Sequence, residues 1–500
     1  MERKQRSTGW LVVGAILAWG ALAGARGQVG SAPRALPDDQ RVMRPDTWRD
    51  QALGQVMPPW LEHGRDRVHG GFYTGLARDW QRVGGTEKYP TMLGRHLYSL
   101  SAAFLLSGEE EYLRLARDTA AWLVDHGWDH RYGGWYRSVT ETGEPADTTK
   151  DAFTQMYANT GLALYYLATR DATARRCLER SNEILQTNAW DSVHGGYYVT
   201  LNRDLSVQST NKSFNPQIGI LSSYLLYLYL ADGRPEYLAQ MQRDIDLALR
   251  RMQTPEEGYI LDDFDRTWTY QPRYRDGVEM IGVGGNIETS WVLMRLYHLT
   301  GNQAYRTKAL DLADRMIRIG WDPVYGGWYP GFARSDPGQV DPQKVWFIQA
   351  YGNFMTLGLY NLTQDPQYLD YFRRTAVFWT EHLLDPEYGG DYVSTDRAGN
   401  LLDGTKGTSS KGSYHTMEHA LLNYLYLSLY VQREPAVLYF HVAADRAPGD
   451  LRVCPVEDPA VEIDQVQVNG QPWGRFDARR RTVELPPGEC AVRVVLMRQP

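Results

Sequence analysis

The chain is short of cysteine, of charge runs and of membrane-length apolar stretches, and each shortage removes a class of protein. Three cysteines in 500 residues leave no spacing for a thiolate metal site or thiol catalysis. Cys177 sits in a helical pattern (ARRCLERSNEIL) and reads as a buried core thiol. Cys454 and Cys490 are either a bridge formed in an oxidising compartment or two unpaired small apolar residues. The formal net charge is only −7, with signs well mixed and no basic run beyond the N-terminus. That balance argues against a nucleic-acid partner. The apolar run Leu11 to Ala23 is about 13 residues, short for a membrane span. It follows Arg3, Lys4 and Arg6 and precedes small residues at Ala23 and Ala25. The pattern predicts an export signal over residues 1–27, a linker over 28–45, and a secreted or periplasmic protein with no stable membrane insertion after cleavage.

Aromatics are plentiful, with 16 Trp and 33 Tyr, and they gather in a repeat. A Trp-Asp or Leu-Asp turn, a Gly-Gly pair and an aromatic recur as WDHRYGGWY (Trp128 to Tyr136), WDSVHGGYY (Trp190 to Tyr198), WDPVYGGWY (Trp321 to Tyr329) and LDPEYGGDY (Leu384 to Tyr392). An earlier copy is His69 to Tyr73, and a degenerate one is Glu257-Gly258-Tyr259. The first glycines, at 70, 133, 195, 258, 326 and 389, lie 63, 62, 63, 68 and 63 residues apart. Each period has room for two helices and a hairpin, and six such units predict a closed ring. Within a unit, a polar-faced helix such as Glu109 to His126 alternates with an apolar one such as Ala152 to Ala168. The alternation predicts an all-α (α/α)6 barrel over 46–433, with six outer and six inner helices. From Glu434 short β-like runs separated by Asn469-Gly470 and Pro486-Pro487-Gly488 predict a small β-sandwich-like domain over 434–500. The turn aromatics either pack the hairpins onto neighbouring helices or line a pocket.

These turns, with several inner-helix motifs, make the chain resemble the N-acylglucosamine 2-epimerase and cellobiose 2-epimerase family. The supporting motifs are Lys88-Tyr89-Pro90-Thr91 through Arg95-His96-Leu97-Tyr98-Ser99, Gly143 to Tyr157, Lys212-Ser213-Phe214-Asn215, Asn286-Ile287-Glu288 and Lys411-Gly412-Ser413-Tyr414-His415. The resemblance implies a cofactor-independent enzyme that moves a proton at C2 of a sugar, with a small sugar or oligosaccharide as partner. It implies substrate contacts from Arg95, Tyr98, Asn215, Gln217, Asn286, Trp346 and Tyr351. It also implies proton transfer by three histidines, of which this chain keeps His415. Gln217 and Gly285 stand at the other two places, and Tyr351 stands where a Glu is common.

An epimerase needs a group to take the proton and one to return it, and neither Gln nor Gly can do either. The remaining candidates are His415 and Glu288, the latter a carboxylate among apolar neighbours that must be paired or protonated. A structural ion pair between Glu288 and Arg95 is the plainer reading of both. Asp263, in the LDDFD cluster of the degenerate turn, is a possible replacement acid or base. Glu418 and His419 form either a second site pair or a helix contact, and no spacing suggests a metal. Three functions stay open: a sugar 2-epimerase or aldose–ketose isomerase with altered acid–base residues, an exported glycan hydrolase or lyase using Asp263 and Glu288, and a non-catalytic carbohydrate-binding barrel.

Overall fold

The computed structural model describes residues 40–446 and 449–499. The export-signal segment 1–27 and most of the linker lie outside them. Six inner helical segments follow one another at the repeat spacing: Pro90–Ser107, Ala152–Thr169, residues 215–232, Val283–Thr300, Trp346–Thr363 and Tyr414–Tyr426. Nearly every residue of these segments is buried. Each packs on the next and the last packs on the first, so the ring closes. Outside them run Glu110–Trp122, Ala172–Ile184, Pro235–Met252, Gln303–Gly320 and Gln367–Phe378, each on the preceding inner helix, and the N-terminal Pro45–Gln51 covers the sixth. The outer helices bury one stripe and expose the other, as their sequence pattern demands. Among the described residues no helix is long and apolar enough to cross a membrane.

The hairpins are built by the glycine pair. Gly133 and Gly134 have φ of +82° and +78°, a region closed to most side chains. Asp129 caps the same turn, its Oδ1 accepting from the N–H groups of Arg131 and Tyr132. A buried lysine then neutralises this aspartate. The pairs are Lys88–Asp66, Lys150–Asp129, Lys212–Asp191, Lys344–Asp322 and Lys406–Asp385, at 2.8 to 3.2 Å. In the degenerate fourth unit Thr254 stands at the aspartate's place. The turn aromatics Trp135, Tyr197 and Trp328 are fully buried, so they pack the hairpins onto the helices.

At the opposite end every inner helix finishes in a left-handed residue: Gly108, Arg170, Gly233, Gly301, Gln364 and Arg433. The C-terminal strands lie across this end. One antiparallel sheet contains Ala436–Val442, Cys490–Arg498, Val461–Val468 and Gln471–Pro472; a second holds Leu451–Arg452, Thr482–Val483 and Phe476–Asp477. Ala436–Val442 packs on the first two inner helices, and Arg452 Nε donates to the Leu230 carbonyl at 2.9 Å. Cys177, Cys454 and Cys490 are separate buried thiols.

Candidate active site

Seven residues after Lys88, Lys150, Lys212, Lys344 and Lys411 stand Arg95, Tyr157, Gly219, Tyr351 and Glu418, one on each inner helix. Glu288 holds the matching place on the fourth, two residues after a carboxamide, as Tyr157, Gly219 and Tyr351 are. These positions face inward near the hairpin end, and five of the six side chains converge. The Arg95 guanidinium lies 3.7 Å over the Tyr157 ring, and its Nη1 donates to the Ser410 carbonyl at 2.5 Å. His415 stands among Tyr157, Tyr351, Trp346 and Phe347, with ring centroids 5.5 to 6.2 Å away. Its Nδ1 is 3.9 Å from a Glu418 oxygen. On the third helix Gly219 leaves the space to Met156, whose sulfur would sit 3.0 Å from an added Cβ.

Burial sets the proton states. Both Glu418 oxygens are buried without a hydrogen-bond partner. Removal from water pushes this carboxyl up to about 8, against smaller opposing effects of the Tyr414 phenol and Arg295. Glu288 keeps part of its surface open, yet surrounding protein pushes it up to about 7. The Ser222 hydroxyl, donating to Oε1 at 2.5 Å, works against that rise, and nearby Asp262 adds to it. His415 is held well below the usual imidazole value by burial first, then by Arg95 and Lys411. Near neutral pH the site therefore presents a protonated carboxyl, a neutral imidazole with a free Nδ1 and a carboxyl close to half-ionised. Groups that exchange protons near pH 7 are what general acid–base chemistry uses.

Several residues singled out from the sequence fall elsewhere. Gln217 does not point into the site. Its Oε1 accepts from the Tyr197 N–H at 3.0 Å and its Nε2 donates to the Tyr197 carbonyl at 2.8 Å. Gln155 clamps Trp135 the same way, Gln349 clamps Trp328, and Asn286 clamps Ile260. Gln217 and Asn286 thus satisfy buried backbone groups of their hairpins and are not free to hold a ligand. Tyr98 lies under the site floor, its hydroxyl 2.9 Å from that of Tyr227 and its ring edge-on to Tyr414. Glu288 makes no pair with Arg95. Asp263 is tied to Arg273, and it is its neighbour Asp262 that acts on Glu288. Burial raises Asp262 as well. Trp346 and Tyr351 do flank His415, and the indole Nε1 of Trp346 is buried without a partner. Asn215 opens the third helix, with Oδ1 3.5 Å from a Cβ built at Gly219. Gly285 faces the Phe214 ring, 3.1 Å from an added Cβ, so an aromatic fills the place of a longer side chain. His419 is a core residue, wedged between Trp48 and Trp379 and bonded to Asn353.

Residues 70–419 match the family model of N-acylglucosamine 2-epimerase. The chain belongs to that family. A cellobiose 2-epimerase of Bacteroides fragilis is 26% identical over 377 residues, which are 72% of this chain and 93% of the relative. A D-mannose isomerase of Marinomonas mediterranea is 23% identical over 362 residues, 70% and 89% of the two chains. The solved cellobiose 2-epimerase of Bacillus thermoamylovorans superposes with a TM-score of 0.70 at 21% identity, covering 76% of this chain and 98% of that one. The family match ends at His419, before the C-terminal sheets.

Proposed function

We propose that this protein is a cofactor-independent sugar 2-epimerase or aldose–ketose isomerase whose proton transfers run through Glu288, His415 and Glu418. The observation that carries the reading is the convergence, beneath an arginine, of two carboxyls with proton affinities near neutral pH and a neutral imidazole. An open-chain aldose with its carbonyl toward Arg95 would lose its C2 proton to the Glu288 carboxylate. The C1–C2 bond then gains double-bond character as charge moves to the carbonyl oxygen, where the guanidinium balances it. Return of a proton to the opposite face of C2 gives the epimer, and return to C1, with the O2 hydroxyl proton passing to O1, gives the ketose. Glu418 is the proton store for that step and the His415 imidazole its relay. Passage of the proton now on Glu288 back to Glu418 restores both groups and closes the cycle.

Epimerase and isomerase relatives and the retained Arg95, Trp346 and His415 frame support this reading. Hydrolysis by Asp263 with Glu288 finds no such support, because Arg273 occupies Asp263. Incubation with mono- and disaccharides in D2O should place deuterium at C2, and the signal should vanish in His415→Ala and Glu288→Gln. A folded wild-type protein that exchanges no C2 proton across the panel would end the proposal. Export rests on the N-terminal pattern alone, and mass spectrometry of the mature N-terminus in the native host would decide it.

A further inference from the structure

Arg295 is a buried cation that the proposed chemistry does not use. It sits two helical turns beyond Glu288, on the same face of the fourth inner helix, and therefore deeper along the barrel axis. Among the described residues of the barrel, none forms an ion pair with it. Its partner is Glu457 of the C-terminal domain, whose Oε1 accepts from Nε at 2.7 Å and also from Nη2. Both side chains are almost wholly buried, and Nη1 has no partner. The guanidinium lies 4.5 Å from the Trp291 ring centroid and 5.6 Å from that of Tyr227. Trp291 in turn packs 5.8 Å from Tyr351, which flanks His415.

We propose that Glu457 is a positioning residue for the site: by neutralising Arg295 from below, the C-terminal domain keeps the Glu418 carboxyl protonated and able to serve as the proton store. The inference rests on the epimerase–isomerase reading for its meaning in catalysis, though not for its electrostatics. Glu418 is faced by Arg295 and Glu288 from the fourth inner helix, Tyr227 from the third, Tyr351 from the fifth, Tyr157 and Tyr98 from the second and first, and Tyr414, His415 and Tyr426 from its own. Among these, Arg295 is the cation that acts on it. A buried cation stripped of its counter-ion seeks another anion, and here the buried carboxyl of Glu418 is within its field. Neighbouring Asp458 fixes the segment, accepting from Asn361 on the fifth inner helix and from Arg498.

The test uses the full chain with 13C-labelled glutamate, the Glu418 carboxyl signal being assigned by its loss in Glu418→Gln. In Glu457→Gln the titration midpoint of Glu418 should fall by about one pH unit or more, a tenfold change in proton affinity. The alkaline limb of kcat/KM should fall with it, and Glu457→Asp should restore both. An unmoved midpoint overturns the proposal. Should Glu457→Gln fail to fold, the paired variant Arg295→Met/Glu457→Leu removes both charges. Its Glu418 midpoint should stay at or above the wild-type value, and a fall would overturn the proposal. A wild-type protein without sugar turnover ends the catalytic reading while leaving the titration to decide this one.

Discussion

Two carboxyls with displaced proton affinities make the sharpest claims about single residues. Glu288 must be ionised to take a proton and Glu418 protonated to give one. With values of about 7 and about 8, kcat/KM should trace a bell that rises through the first and falls through the second. Glu288→Gln should lower it by at least about 100-fold. A flat profile from pH 6 to 9 would refute the assignment. The same shifts bear on stability, with a definite sign. Both groups hold their protons more tightly folded than unfolded, so their contribution is complete below the unfolded carboxyl range near 4.3 and is lost as pH rises through 7 to 8. Glu418→Gln, which cannot ionise, should therefore melt higher than wild type at pH 9 while losing that advantage at pH 4. Gln217→Ala supplies the contrast. It strands the Tyr197 N–H and carbonyl, which should cost about 2–4 kcal/mol in urea unfolding, yet kcat/KM should stay within about threefold of wild type.

At the scale of the element, the hairpins are the repeated investment. Five buried Lys–Asp pairs tie the aspartate of the turn to the segment that leads into the next inner helix. Removal of one partner leaves an uncompensated charge, so Lys88→Met, which leaves Asp66 with no other cation paired to it among the described residues, should cost about 3–5 kcal/mol. Lys150→Met should cost less, because Arg203 also reaches Asp129 at 3.0 Å. Chemical denaturation of the two variants side by side tests the order. Much of this was legible beforehand. The glycine pairs announced the turns, and the contrast between apolar and amphipathic helices announced the two rings. The role of the carboxamides was not, because a glutamine that grips a ligand and one that grips a backbone are the same letter. Gln155 and Gln217 stand at the same offset from Gly133 and Gly195, with Gln349 one residue further from Gly326. That recurrence was the available signal, since a ligand contact has no reason to recur from unit to unit while a hairpin clamp does. Glu418 was harder to weigh, because its value depends on neighbours from five other helices that no local pattern reveals.

For the molecule as a whole, the C-terminal sheets are part of the barrel's construction. They cover the carboxyl ends of the inner helices, and Glu457 supplies the counter-charge of Arg295. Residues 40–433 expressed alone should therefore fail to give a soluble, cooperatively melting protein, and a sharp calorimetric transition from that fragment would contradict this. The β-texture of this region was visible in its turn signals and alternating runs. Its engagement with Arg295 was not, since 162 residues separate the two partners.

The ring also has a seam. Pro45–Gln51 backs the sixth inner helix, Gln51 accepts from the Trp379 indole at 3.1 Å, Leu76 pairs with Gly407, and Arg78 reaches Asp385 at 2.9 Å. The earliest segment of the ring to be synthesised thus finds its neighbours only when the latest has emerged, and until then two unlike edges of a half-finished ring are exposed to water. Contacts so distant in sequence slow folding and lengthen exposure to aggregation. Because the seam is held by side chains and hydrogen bonds alone, the order in which the units are threaded should matter to how fast the ring closes and hardly at all to what it becomes.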